Sequence, residues 1–290
     1  MDGIIIINKP INFTSQDVVS KTKKILNEKK AGHTGTLDPM ATGVLPVLLG
    51  KATKLSKYLI EHDKKYIATI KFGEKRDTGD SEGNVIETSE NKVLDEENVK
   101  STLNSFLGKS KQIPPIYSAI KINGKKLYEY ARQGIDVEIP PRDIEIYEIG
   151  LIKFNIENQT LEFEVKCSKG TYIRTLCEDI AEKLGTIGYM SSLQRVQVDK
   201  FFIDDAIDFE TLENNKNNKE FLNKNIVSIE EVFKELEKIT LNKRKEELFL
   251  NGVMLTFELE DGVYNIYNQE NKHIGLGIVK DKLLKRDVVL

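Results

Sequence analysis

The 290-residue chain is 39% apolar and 31% charged, with no Trp and a net charge of −3, which suits one large folded unit followed by a smaller one. No apolar run approaches the ~18 residues of a membrane helix, and Ile4 to Ile7 is too short for a signal-peptide core, so a cytoplasmic protein is expected. Two cysteines, Cys167 and Cys177, and three scattered histidines, His33, His62 and His273, indicate neither a disulfide framework nor a Cys/His metal cluster.

The chain opens with Gly3-Ile-Ile-Ile-Ile-Asn8, a buried strand ended by Lys9-Pro10. A helix follows, capped by Thr14 or Ser15 with Asp17 in its first turn. Val18, Val19, Thr22, Ile25 and Leu26 form its apolar stripe, and Gly32 is its stop. Residues 31–46 hold three glycines, two prolines and almost no charge, the composition of a shaped, irregular loop packed on the core. A short helix from Ala52 to Ile60 leads to a strand in which Tyr66, Ala68, Ile70 and Phe72 share one face.

A turn cluster at 77–83 and a helix from Glu96 to Leu107 come next. Ile113 to Ile122, with a turn at Asn123-Gly124 flanked by Lys121, Lys125 and Lys126, reads as a basic hairpin arm within residues 109–142. Strands at 143–155 and 160–168 precede a helix from Gly170-Thr171 to Leu184, stopped by Gly185, and a strand from Met190 to Lys200. Residues 211–225, rich in Asn, Lys and Glu, read as a mobile surface loop. Turns at Asn251-Gly252, Asp261-Gly262 and Gly275 to Gly277 predict a small all-β module, so the units expected are 1–239 and 240–290.

Charge is segregated along this order. Residues 1–60 carry nine lysines against four acids, residues 109–142 seven basic groups against three acids, and residues 205–240 nine acids against five lysines. Exposed charges interact over a Debye length of ~8 Å, so separate positive stretches can hold an RNA backbone on a mildly acidic protein. Lysine-rich helices also occur simply as solvated faces.

Asp38 stands out in the 31–46 loop. Leu37 and Pro39 flank it, Pro39 restricts its backbone, and a carboxylate in such poor solvent needs a cation or hydrogen-bond donors. The same Asp-Pro spacing is also that of an N-cap before a helix starting at Pro39, and spacing alone leaves both readings open.

The string Gly32-His-Thr-Gly-Thr-Leu-Asp-Pro-Met-Ala-Thr-Gly-Val-Leu-Pro46 resembles the signature of the TruB family of tRNA pseudouridine synthases. Asn8-Lys9-Pro10, Lys65-Tyr66 and Ser168-Lys-Gly-Thr-Tyr-Ile-Arg-Thr-Leu176 are similar to further family motifs, in the family's order, and the resemblance spans residues 3 to 200. It implies an α+β pseudouridine synthase fold: a mixed, mostly antiparallel sheet with flanking helices, then a reduced PUA-like RNA-binding domain at 240–290. It also implies conversion of the uridine at position 55 in the tRNA T loop to pseudouridine, with base flipping and with tRNA as partner through its T arm. No guide RNA, membrane or metal is expected, and the expected state is a monomer. The reaction breaks the C1'-N1 glycosidic bond and joins C5 to C1' with no net redox change and nothing added, so no cofactor is required.

By the same resemblance Asp38 is the catalytic carboxylate, attacking C1' or C6 or stabilising charge at the sugar. A hydrolytic glycosidase would want a second carboxylate ~5 to 9.5 Å away; the motif supplies one acid, which fits isomerisation better, although separate loops could supply another. Arg174 is expected to meet Asp38 and lower its pKa; otherwise it is a surface arginine at the disfavoured end of a helix. Tyr66 is expected to lie against the target uracil and handle a proton, His33 to help with flipping, Tyr172 and Leu193 to contact the nucleotide, and Lys9 to buttress the loop. Tyr66 and Leu193 are otherwise ordinary strand-core residues. Lysines 243, 245, 272, 280, 282 and 285 are phosphate candidates or solvated charges. A reading of another class, tRNA folding assisted by binding alone, needs the basic surface but not the carboxylate.

Overall fold

The computed structural model describes residues 1–60 and 62–290. Its main sheet runs, in spatial order, through the strands Ile226–Val227, Gly3–Lys9, Thr42–Leu49, Gly188–Val198, Lys64–Phe72, Thr160–Cys167, Arg142–Asn155 and Gly108–Gln112. Among the described residues every junction on this path is antiparallel except one. Thr42–Leu49 and Gly188–Val198 run parallel, with Gln194 beside Thr42 and Arg195 beside Gly43. The expected mixed, mostly antiparallel sheet is therefore two antiparallel halves joined at a parallel seam.

The continuous apolar run at the start follows from burial on both faces. Ile5 and Ile7 pack with Val18 and Val19 of the helix Ser15–Ile25, whereas Ile4 and Ile6 pack with Leu55, Leu59, Leu276 and Val288 on the other side. Lys64–Phe72 alternates as expected, with Tyr66, Ala68, Ile70 and Phe72 buried. The first helix begins at a capping box between Thr14 and Asp17. It ends well before Gly32, because Asn27 takes the left-handed position (φ 51°) that stops a helix.

Four sequence expectations change. Residues 31–46 are not wholly irregular: Ala31–His33 pairs with residues 47–49, a distant partner for its backbone that local composition does not reveal. The arm is mostly not a ladder, since Pro114 and Pro115 lack N–H donors and, among the described residues between Gln112 and Arg142, only Lys121–Ile122 and Lys125–Lys126 pair. Asn123 (φ 50°) and Gly124 (φ 81°) make its tight turn, and the helix Leu127–Arg132 follows. Residues 211–225 are not a loop but parts of two helices, Phe209–Asn215 and Lys219–Asn225. Asp208 and Asn218 cap them, so residues that read as loop-formers in composition serve as helix starts. The C-terminal module is not all-β: the helix Lys243–Leu250 accompanies five strands, the first of which, Lys238–Leu241, straddles the expected boundary.

The small module is fastened to the main sheet rather than tethered. Asp287 accepts a hydrogen bond from the Tyr58 hydroxyl at 2.5 Å and pairs with Lys57, and Leu276 and Val288 share a cluster with Ile4 and Ile6. Among the described residues no helix is long and apolar enough to cross a membrane.

Leu212 is fully buried with Ile5, Ile7 and Leu45. Leu212→Ala is expected to destabilise the fold by about 3 kcal/mol in denaturant unfolding. A change below about 0.5 kcal/mol, as for a surface site, would show that the 209–225 helices are not part of the core.

Candidate active site

Asp38 lies where the loop turns into the strand at the parallel seam. Its carbonyl accepts from Ala41 N–H at 3.0 Å, closing a turn through Pro39 and Met40, and a strand, not a helix, follows. This removes the N-cap reading and leaves the Asp38 side chain without a helix to cap. Leu37, just before it, is held on both backbone groups by the buried Ser15 hydroxyl: its N–H donates to Oγ at 2.8 Å, and Oγ donates to its carbonyl at 3.2 Å. From the other side the fully buried Lys9 ammonium donates to the carbonyls of Pro10, Pro39 and Ala41 at 3.0, 3.1 and 2.5 Å. Both backbone flanks of the carboxylate are thereby fixed.

Arg174 is the second residue of the helix Ile173–Lys183 and is nearly buried. Its Nε sits 3.3 Å from Asp38 Oδ2 and its Nη1 3.5 Å from Asp80 Oδ2, and it donates to the Thr78 and Tyr117 carbonyls at 3.0 and 2.9 Å. One guanidinium thus gathers the Asp38 loop, the 77–83 turn and the base of the arm. Asp80, buried, accepts from the Thr78 hydroxyl at 2.7 Å and from Glu82 N–H at 3.1 Å. The motif supplies one acid, and a separate turn supplies another, the alternative left open in the sequence: two carboxylates face the same guanidinium.

Tyr66 is buried and stands directly across the sheet from Arg195. Burial pushes its hydroxyl up to about 12, against the opposing pull of Arg195. Arg195, 1% exposed, donates from Nε to the Val44 carbonyl at 2.8 Å and from Nη2 to the Gly35 carbonyl at 3.3 Å. Gly43 (φ +103°) packs on this strand so closely that a Cβ would fall 2.2 Å from the Arg195 carbonyl oxygen.

Leu193 packs in one apolar cluster with Tyr66, Leu37 and Met40. His33 pairs across the strands with Val47. Burial and then Arg195 hold its imidazole below the usual histidine range, and its buried Nδ1 has no hydrogen-bond partner. Tyr172 occupies the N-cap position of the Arg174 helix, where the Gln112 amide donates to its carbonyl at 3.0 Å and accepts from its N–H at 2.8 Å.

Lys9, His33, Asp38, Tyr66, Tyr172, Arg174 and Leu193 therefore fall around one junction, the C-terminal lysines lie in the small module, and Ser15, Asp80, Gln112 and Arg195 are further members of the junction that were not singled out from the sequence. Arg195 had a signal: it shares strand parity with Leu193, so it points inward. Asp80 had none beyond its place in a turn cluster. Three of the arm's seven cations lie over its own aromatics, with Lys125 over the Tyr130 ring at 4.6 Å and Lys126 and Arg132 over Tyr128 at 5.3 and 5.4 Å. In the C-terminal module Lys245 lies 4.3 Å from the Phe257 ring centre and Lys282 pairs with Glu258 at 2.5 Å.

Arg174 meets Asp38 and lowers its pKa as expected, but the net direction is upward. Burial raises its pKa and Asp80 adds to that, outweighing the lowering by Arg174 and Lys9. A carboxyl whose pKa is higher folded than unfolded destabilises the fold above that pKa, and the penalty vanishes once the group is protonated in both states. Asp38→Asn is therefore expected to melt above wild type at pH 7, with the gap closing as pH falls into the carboxylate range. A variant that melts below wild type at pH 7 would mean that the Arg174 ion pair outweighs burial.

A family model described as TruB family pseudouridylate synthase (N terminal domain) matches residues 23–173, and one described as tRNA pseudouridylate synthase B C-terminal domain matches residues 174–234. Similar proteins include tRNA pseudouridine synthase B of Clostridium novyi (strain NT), 44% identical over 100% of both chains. That of Hydrogenovibrio crunogenus is 42% identical over 96% of this chain and 89% of the relative. Among solved structures, a chain from "Crystal Structure of a Cbf5-Nop10-Gar1 Complex" matches with TM-score 0.73 and 25% identity, covering 99% of this chain and 84% of that one. Matches of this extent to both domains and to full-length relatives mean that the chain belongs to the TruB family of pseudouridylate synthases.

Proposed function

We propose that the protein isomerises the uridine at position 55 in the T loop of tRNA to pseudouridine, as a standalone cytoplasmic monomer with residues 1–239 as catalytic unit and 240–290 as an RNA-binding unit. The C1'-N1 bond breaks, the freed uracil turns in the pocket, and C5 bonds to C1'. C5 loses one proton and N1 gains one, so atoms and electrons balance with no cofactor.

The observation that carries this reading is the ion pair of Arg174 with Asp38, formed at a loop whose backbone Ser15 and Lys9 both pin. A carboxylate fixed in a half-buried site is ready to act on an electrophilic carbon or face developing positive charge without reorganising first. Tyr66 lies against the uracil and exchanges a proton with it, and Leu193 and Tyr172 bound the nucleotide. A uridine inside a folded loop has to be flipped out at a cost of a few kcal/mol, and His33, neutral beside the loop, helps to hold the opened loop. The lysine-rich stretches at 1–60 and 109–142 supply the positive field for the T-arm phosphates.

The test uses tRNA transcript carrying 5-tritiated uridine, because tritium leaves only when C5 forms its new bond. Wild type is expected to release tritium at the T-loop uridine and Asp38→Asn to release none. Equal release by both proteins, or release mapped to another site, overturns the reading. Intact tRNA binding without release by either would favour assistance of tRNA folding instead.

A further inference from the structure

Arg195 is the largest fully buried side chain of the chain. Burying a guanidinium is expensive unless a carboxylate accompanies it, and the unpaired case is the costly one. Among the described residues Arg195 has no carboxylate partner. Its partners are the Val44 and Gly35 carbonyls, which accept its hydrogen bonds, and Tyr66, its direct neighbour across the strands. A methionine would fill the same space in the sheet without this penalty, so core packing alone does not account for an arginine.

The placement of its three partners is specific. Gly35 and Val44 lie on either side of Asp38 in the chain, one before the turn and one on the strand after it. Tyr66 is the cross-strand neighbour of Arg195 in the same half of the sheet, on the other side of the parallel seam from Val44. One side chain therefore ties both limbs of the Asp38 loop to the tyrosine across the parallel seam.

We propose that Arg195 is a positioning residue for catalysis: it sets Tyr66 opposite the Asp38 loop and supplies the positive charge that a phenolate at Tyr66 would face. This rests on the reading that Tyr66 exchanges a proton with the uracil. A hydroxyl that serves the transfer from C5 or to N1 is phenol on one side of the step and phenolate on the other. The phenolate would otherwise stand among Leu37, Met40 and Leu193 with no counter-charge. Burial and the nearby Tyr66 act on Arg195 in opposite senses, burial disfavouring its charge and Tyr66 favouring it, as expected of a pair that shares charge.

The experiment compares single-turnover isomerisation of saturating tRNA by wild type, Arg195→Met, Arg195→Lys, Tyr66→Phe and the Tyr66→Phe/Arg195→Met double variant, with tRNA Kd and thermal melting measured alongside. Arg195→Met is expected to slow the chemical step by about 100-fold, the low end for a positioned proton-transfer group, with tRNA Kd within about threefold of wild type. Arg195→Lys, which keeps the charge but not the fork, is expected to fall between wild type and the Met variant. In the Tyr66→Phe background Arg195→Met is expected to add almost no further loss, because residues acting as a unit are not additive.

Losses that multiply across the two sites would assign Arg195 a purely structural role and overturn the proposal, as would an Arg195→Met rate near wild type. A wild-type rate for Tyr66→Phe would instead remove the reading of Tyr66 on which the proposal rests. Should Arg195→Met fail to fold, the Lys variant decides: its partial loss must disappear in the Tyr66→Phe background, and a loss that persists there overturns the proposal.

Discussion

The site depends on one electrostatic constraint: a carboxylate kept in poor solvent has to be matched by cations that are themselves held away from water. Arg174 meets that constraint for Asp38, and it can do so because Asp80 and two backbone carbonyls occupy the rest of its fork. A lysine would bring one charge to Asp38 but could not hold the 77–83 turn and the arm in the same plane. The arrangement is a compromise, since burial and Asp80 push Asp38 toward its neutral form while Arg174 and Lys9 oppose them. Energy stored against the charged carboxylate is energy the fold supplies elsewhere, chiefly in the apolar layers on both faces of the sheet.

The parallel seam explains why the chemistry gathers where it does. Antiparallel strands can be joined by tight turns, but a parallel pair is reached only by a long connection, and here the chain between Leu49 and Gly188 builds half the sheet. Residues from 9 to 195 therefore converge at one point: Lys9 from the first strand, Asp38 from the loop, Tyr66 and Arg195 from facing strands, Arg174 from a helix start. Gly43 permits the close approach of the two parallel strands, which links a glycine of the sequence signature to the packing of Arg195.

Much of this was legible in the sequence, and the parts that were not have physical reasons. The strand carrying Tyr66 and the helix carrying Arg174 were readable because periodicity and caps are local. Asp38 was readable as unusual from its apolar setting, but its distinction from an N-cap needed the turn that the strand at Thr42 imposes. Asp80 and Ser15 were not readable, because what matters in each is a partner 94 or 22 residues away. Asparagines at 215, 217 and 218 misled as disorder, since the same side chain that favours loops also caps helices. The lowering of the Asp38 pKa by Arg174 was legible because charge partners can be read from motifs, whereas the larger opposing effect of burial is a property of the whole fold.

The most direct test of the account is a structure of Asp38→Asn bound to a T-arm stem-loop RNA. The account predicts the target uridine turned out of its loop, its C1' facing residue 38, its uracil against Tyr66, and Arg174 still bound to Asp80. A uridine that remains stacked in the RNA, or that lies in the protein away from residue 38, would contradict the assignment of this junction as the site of the chemistry.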